Sequence, residues 1–175
     1  MSFHEFNDVL VSAIKEQQPN TGVRADMLGG KAMSAYSELY LEDATELQET
    51  LFQEIVNEGY KAEHFVEGYM KCLYRKLMDG GNARVINMPY CELISYIRVN
   101  CGEILILGQS NIDALQFGWI GRMYNLLQYK LAISSEELYN KLPLDDMKVY
   151  FRPLHTVSDE VALDKLILIV EARMS

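Results

Sequence analysis

The residues that could do chemistry are few, and their spacing narrows what that chemistry could be. Met27 to Ala32 reads MLGGKA, a Gly-Gly-Lys run of the kind that cradles phosphate. A phosphate-binding loop needs Gly-x-x-x-x-Gly-Lys followed by Ser or Thr, so that backbone amides hold the phosphates and the hydroxyl holds magnesium. Here Ala25 stands at the first glycine position, Ala32 stands at the hydroxyl position, and the preceding NTGVRADM is too polar for a buried strand. The stretch reads as a flexible turn. Its counterpart Met78 to Ala83, MDGGNA, reads as a helix stop.

Three histidines, His4, His64 and His155, have no metal-ligand spacing to one another or to a cysteine, so neither a metal site nor a cofactor is expected. His64 and Glu67 share a helical face, but a di-iron bundle needs Glu-x-x-His from two helices. Cys72, Cys91 and Cys101 make an odd count without Cys-x-x-Cys. That pattern gives no disulfide framework and fits a reducing, cytoplasmic setting. Cys91 with His155 is the pair to test for a cysteine nucleophile. Arg152-Pro153-Leu154-His155-Thr156 suggests the phosphoesterases that use a His-x-Thr type motif, but those families need the motif twice and it does not recur here. A pocket of Cys91, Arg98, Tyr124 and His155 in a helical core is the alternative reading, that of a small-molecule binder or enzyme.

Charge gives the leading expectation. The formal net charge is −9. Between Glu38 and Glu67 stand Glu38, Glu42, Asp43, Glu46, Glu49, Glu54, Glu58, Glu63 and Glu67, against Lys61 alone. Nearly the whole imbalance therefore sits in one sixth of the chain. Nucleic acid is disfavoured as a partner, because phosphate neutralisation needs clustered Lys and Arg. Lys71, Arg75 and Lys76 read instead as the cationic end of a helix. The acidic band points to a basic protein partner, met through Glu42, Asp43, Glu46, Glu49, Glu63 and Glu67 on a helical hairpin at 42–67. The function expected is that of a non-enzymatic inhibitor, immunity-type protein or adaptor. Self-association into homo-oligomers is compatible with the sequence.

The elements that would position these residues are mostly helical. Ser2 to Gln18 carries a capping box and an apolar period of about 3.6 residues. Asp43 to Glu58 is expected to be capped by Asp43, with Leu47, Leu51 and Ile55 as its stripe. Lys61 to Met78 follows with Phe65, Tyr69, Cys72, Leu73 and Leu77 inward, and Pro89 opens a helix towards Leu107. Within it, Ile104 to Leu107 fits a helix end or a short buried strand. Asp113 to Leu131 is helical despite Gly118 and Gly121, which with Phe117 and Trp119 suggest a close helix contact. Ser134 and Ser158 cap two further helices, the second running to about Met174. Lys148 to Phe151 (KVYF) is the best strand candidate. The fold expected is a single helical domain over 1–175, a mainly α bundle of six to seven helices with one short strand near 148–151. The longest apolar runs, ILIL and LILIV, are too short to span a bilayer, and MSFHEFNDVL lacks a signal-peptide layout.

Two resemblances are weaker. Phe65 to Leu77 echoes Phe117 to Leu131, as MLGGKA echoes MDGGNA, and independent amphipathic helices explain the echo better than duplication. Gly80 to Ala83, then Cys91, then Arg122-Met123-Tyr124 loosely resembles the motif order of phycobiliproteins, which are globin-like helical pigment proteins. That family follows its bilin-attaching cysteine with Arg and Asp. Here Cys91 precedes Glu92, Leu93, Ile94 and Ser95, so the pigment-holding residues are missing.

Overall fold

Two helices approach each other more closely than ordinary side chains allow, and the rest of the bundle is arranged around them. The structure is a computed structural model that describes residues 36–174. The chain divides between Met1–Lys31 and Ala32–Ser175, and all described residues lie in the second unit. The expected first helix and the MLGGKA stretch lie outside the described residues.

Nine α-helices are present there. α1 is Leu41–Asn57, α2 Ala62–Lys71, α3 Leu73–Asp79, α4 Ala83–Ile86 and α5 Tyr90–Asn100. α6 is Ala114–Leu131, α7 Ser135–Lys141, α8 Leu144–Leu154 and α9 Asp159–Met174. Short 3₁₀ turns cover Glu38–Tyr40 and Gly102–Ile104. No strand forms among the described residues, although an isolated antiparallel bridge joins Tyr60 to Leu107. No helix among them is long and apolar enough to cross a membrane.

α1 and α6 pack antiparallel, since Thr45 meets Asn125, Gln48 meets Gly121 and Gln53 meets Gly118. A Cβ at Gly121 would stand 2.7 Å from Phe52 Cγ and 3.1 Å from the Gln48 carbonyl oxygen. Glycine there lets the backbones close, and the Gln48 amide donates to the Gly121 carbonyl at 2.7 Å. Phe52 stacks near Phe117, with centroids 4.5 Å apart. Phe65 and Tyr69 of α2 complete an aromatic core around them. The expected close helix contact at Gly118 and Gly121 is therefore present, and Phe117 is wholly buried within it. Trp119 lies half-buried edge-on to Phe151.

Local capping chemistry is obeyed at several starts. Asp113 accepts from the Gln116 N–H, Ser134 from the Glu137 N–H and Ser158 from the Val161 N–H. At MDGGNA, α3 stops at Gly80, and Asn82 then caps α4 by accepting from Arg84 and Val85.

Four expectations are corrected. KVYF is not a strand but part of α8, because α8 buries one stripe only, Leu144, Met147 and Leu154, and leaves Val149 exposed. α1 starts two residues before Asp43, so Asp43 sits in the first turn instead of capping it. The helix after Pro89 ends at Asn100, and Ile104 to Leu107 leaves a 3₁₀ turn for irregular chain. The segment 61–78 is two helices broken at Cys72, whose ψ of 161° is extended. That break shifts the phase. Tyr74, Arg75 and Met78 turn inward, while Leu73 is left exposed. It also separates Phe65 to Leu77 in conformation from the continuous α6, so the echoed segments do not share a structure.

The two glycines make opposite predictions. At Gly118 the overlapping atoms belong to the flexible Gln53 side chain, which can swing away. Gly118→Ala is expected to be neutral or to gain up to about 1 kcal/mol of helix propensity. Gly121→Ala meets a buried ring and backbone, and should cost about 1–3 kcal/mol. Urea unfolding of both variants checks the pair, and equal effects would contradict the close-approach account.

Candidate functional site

The acidic band is dismantled by distant bases. Arg122, on α6, donates to Glu42 at 2.9 Å, to Glu49 at 3.4 Å and to Asp159 at 2.6 Å, so one guanidinium joins α1, α6 and α9. Lys148 of α8 pairs with Glu63 at 3.1 Å, Arg98 of α5 with Glu58 at 2.8 Å, and Lys71 with Glu67 at 2.8 Å. Burial alone would raise the Glu63 carboxyl, but bonds from its own backbone N–H, Lys148 and the Asn111 N–H hold it below the ordinary carboxylate value. Lys71 does the same for Glu67, which is nearly in open solvent. Of the six carboxylates singled out in the sequence, Asp43 and Glu46 are exposed and carry no ion pair among the described residues. Glu38 shares that state. Beside them Leu39 is 87% exposed and Tyr40 43% exposed.

The four residues of the alternative pocket answer to different partners. Cys91 is exposed on α5, and Arg98 on the same helix is held by Glu58. Tyr124 is wholly buried in α6 and donates to the Leu142 carbonyl at 2.7 Å. His155 is exposed beyond α8, stacked on Phe151 with centroids 4.4 Å apart. No group of three or more His, Cys, Asp or Glu side chains among the described residues is placed to hold a metal.

What the sequence did not reveal is a polar cluster in the core. Arg75, read as part of the cationic end of a helix, has no exposed surface at all. Its Nε donates to Ser135 Oγ at 2.6 Å, and its Nη1 to Gln48 Oε1 at 2.6 Å and Asn125 Oδ1 at 3.0 Å. Asp79 stands 3.3 Å from Nε and in turn accepts from the Ser135 N–H and hydroxyl. Asn125 donates to Thr45, and Thr45 to the Leu41 carbonyl. Burial works against the charge on Arg75, but the Asp79 carboxylate beside it offsets that cost, leaving the guanidinium's pKa above its ordinary value. Burial pushes the Tyr69 and Tyr74 phenols up, so both stay neutral. Among the described residues, Arg75 Nη2, the Tyr74 hydroxyl and Gln128 Oε1 are buried without a hydrogen-bond partner. Gln128 also lines a cleft of about 260 Å³ with Asp79, Tyr129 and Ser134. A signal was available, since Gln48, Asn125 and Gln128 fall among the mostly apolar inward positions of α1 and α6.

The chain matches no protein-family model, no curated protein and no solved structure.

Two outcomes test this geometry. Arg75→Ala strands Asp79, Gln48, Asn125 and Ser135 in the core and should cost about 3–5 kcal/mol in chemical denaturation. Arg75→Lys should recover only part of that, because an ammonium cannot match the planar fork. A loss under about 1 kcal/mol for Arg75→Ala would contradict the network. The pH dependence follows from Glu63. Its folded pKa is depressed, so its contribution is present above about pH 4.3, the ordinary glutamate value, and is lost as pH falls through the folded value. Solvent exposure limits this to a few tenths of a kcal/mol. Glu63→Gln should flatten the acid limb of the stability profile by that amount, and an unchanged limb would refute the assignment.

Proposed function

We propose that this chain is a non-enzymatic binding protein that docks a basic protein on the start of α1 and the turn before it, acting as an inhibitor, immunity-type protein or adaptor. The carrying observation is that Glu38, Asp43 and Glu46 carry no ion pair among the described residues and stand beside the exposed Leu39 and Tyr40. Charges already held by Arg122, Lys148, Arg98 and Lys71 stabilise the fold and have less attraction left for a partner. The surface expected from 42–67 is thereby narrowed to 38–46. An apolar anchor rimmed by like charge suits a cationic partner: the carboxylates steer the encounter and the anchor slows dissociation. Occlusion of the partner's own basic surface would be the mechanism. The three free cysteines are in keeping with a reducing, cytoplasmic setting.

A second reading rests on the unpartnered atoms around Arg75. Buried polar groups without partners call for an explanation, and a small polar ligand reaching them through the Asp79–Gln128 cleft would supply one. This retains the small-molecule alternative but moves its site away from Cys91, Arg98, Tyr124 and His155.

Asp43→Lys with Glu46→Lys disturbs no ion pair among the described residues, so the variant should fold as the parent does. We expect the parent to capture a basic protein reproducibly. With that partner purified, the double variant should bind at least about tenfold more weakly, equivalent to roughly 1.4 kcal/mol. Equal affinity would overturn the reading. Native mass spectrometry showing a bound small molecule that disappears with Gln128→Leu would favour the second one.

A further inference from the structure

The apolar run Ile104 to Leu107 is split by the fold. Ile104 is buried, and it lies so close to Gly68 of α2 that any side chain at that glycine would overlap it. Ile106 is 41% exposed and Leu107 70% exposed. Two large apolar side chains in succession at the surface mark a contact site when the backbone beside them is also open.

The backbone there is open. The Lys61 N–H donates to the Ile106 carbonyl at 2.8 Å, and the Gly108 N–H donates to the Gly59 carbonyl at 2.9 Å. These two bonds flank the antiparallel bridge of Tyr60 with Leu107. In that pattern the two bridged residues turn their own N–H and C=O away from each other. On its side, the Tyr60 N–H donates to the Ile55 carbonyl at 2.9 Å, and the Tyr60 carbonyl accepts from the Ser110 hydroxyl at 3.0 Å. On the other side, the Leu107 N–H and C=O meet no hydrogen-bond partner among the described residues. Leu107 is thus the centre of an edge that presents one donor, one acceptor and an exposed leucine side chain.

We propose that two copies of this chain pair through this edge, Leu107 against Leu107, as an antiparallel two-fold dimer. In an antiparallel hydrogen-bonded pair each residue gives its N–H to the other's carbonyl. An open N–H and C=O on one residue are therefore complementary to a second copy of themselves. The Cα atoms of such a pair lie about 5.5 Å apart, which sets the two exposed leucines side by side on one face. Charge selects the same occupant. The chain carries a net −9, so two copies repel overall, yet residues 105–110, LILGQS, include no charged side chain. The edge is also held in place before it pairs. Ile104 pins one end on α2, and Ser110 ties the other by accepting from the Ala62 N–H at 2.8 Å. The edge is short, so the dimer belongs to the small, concentration-dependent class of interfaces.

Sedimentation velocity of the full chain over a concentration series is the test. The parent should pass from monomer to dimer as concentration rises. Leu107→Lys and Leu107→Glu each set like charges opposite one another across the two-fold, and each alone should stay monomeric over the range in which the parent pairs. An equimolar mixture of the two should recover the dimer, because lysine then faces glutamate. Val149→Lys, which alters a comparably exposed residue on α8, should pair as the parent does. A parent that stays monomeric up to its solubility limit would overturn the proposal, whether or not the variants fold. So would pairing that persists in both Leu107 variants, pairing lost in Val149→Lys, or a mixture that fails to recover the dimer.

Discussion

A charged guanidinium with no exposure to water is the constraint on which the rest of this bundle depends. An isolated buried charge is prohibitively costly, so Arg75 must be paired and hydrogen-bonded. The chain meets that demand with residues from four helices: Gln48 on α1, Asp79 on α3, Asn125 on α6 and Ser135 on α7. Each of these has a second task. Gln48 also donates to the Gly121 carbonyl, which fixes the closest approach of α1 and α6. Asp79 also accepts from the first amide of α7. A network so connected favours one register of the helices over its neighbours, since a slipped helix would leave a charge or an amide unpartnered.

The outer shell is organised by a second arginine. Arg122, on α6, gathers Glu42, Glu49 and Asp159, so α6 is tied to α1 and to the start of α9. α6 is therefore the spine: apolar and glycine contacts on α1, a buried polar bond to Arg75, and an ion cluster near the surface. These internal pairs decide which acids would be left for the partner proposed above. What looks in the sequence like a uniform acidic hairpin is, in the folded chain, a set of structural anchors plus a short stretch at the start of α1 that carries no ion pair among the described residues.

Legibility followed range. The helices begun by Asp113, Ser134 and Ser158 were readable because an N-cap is a matter of four consecutive residues. The glycine contact was readable because two glycines inside a helix beside aromatic residues invite close packing. The break at Cys72 was not readable, since nothing in the local sequence marks it. That one unmarked change of phase carried Arg75 from the expected cationic helix end into the core and hid the polar cluster. The fate of Glu42, Glu49 and Glu63 was equally hidden, because their partners lie 73 to 85 residues away. KVYF misled because three residues of high strand propensity, Val149, Tyr150 and Phe151, outweigh a helical stripe only when the window is short.

The buried guanidinium can be observed directly. Nitrogen-15 NMR of the full chain resolves arginine Nε–H groups and their rate of exchange with solvent. The Arg75 Nε–H, bonded to Ser135 and shut off from water, should exchange as slowly as the most protected backbone amides of α1 and α6, because only global opening exposes it. Exchange as fast as that of the exposed Arg152 would contradict the account, since Arg75 would then be meeting solvent and the four helices would have no buried charge to enclose.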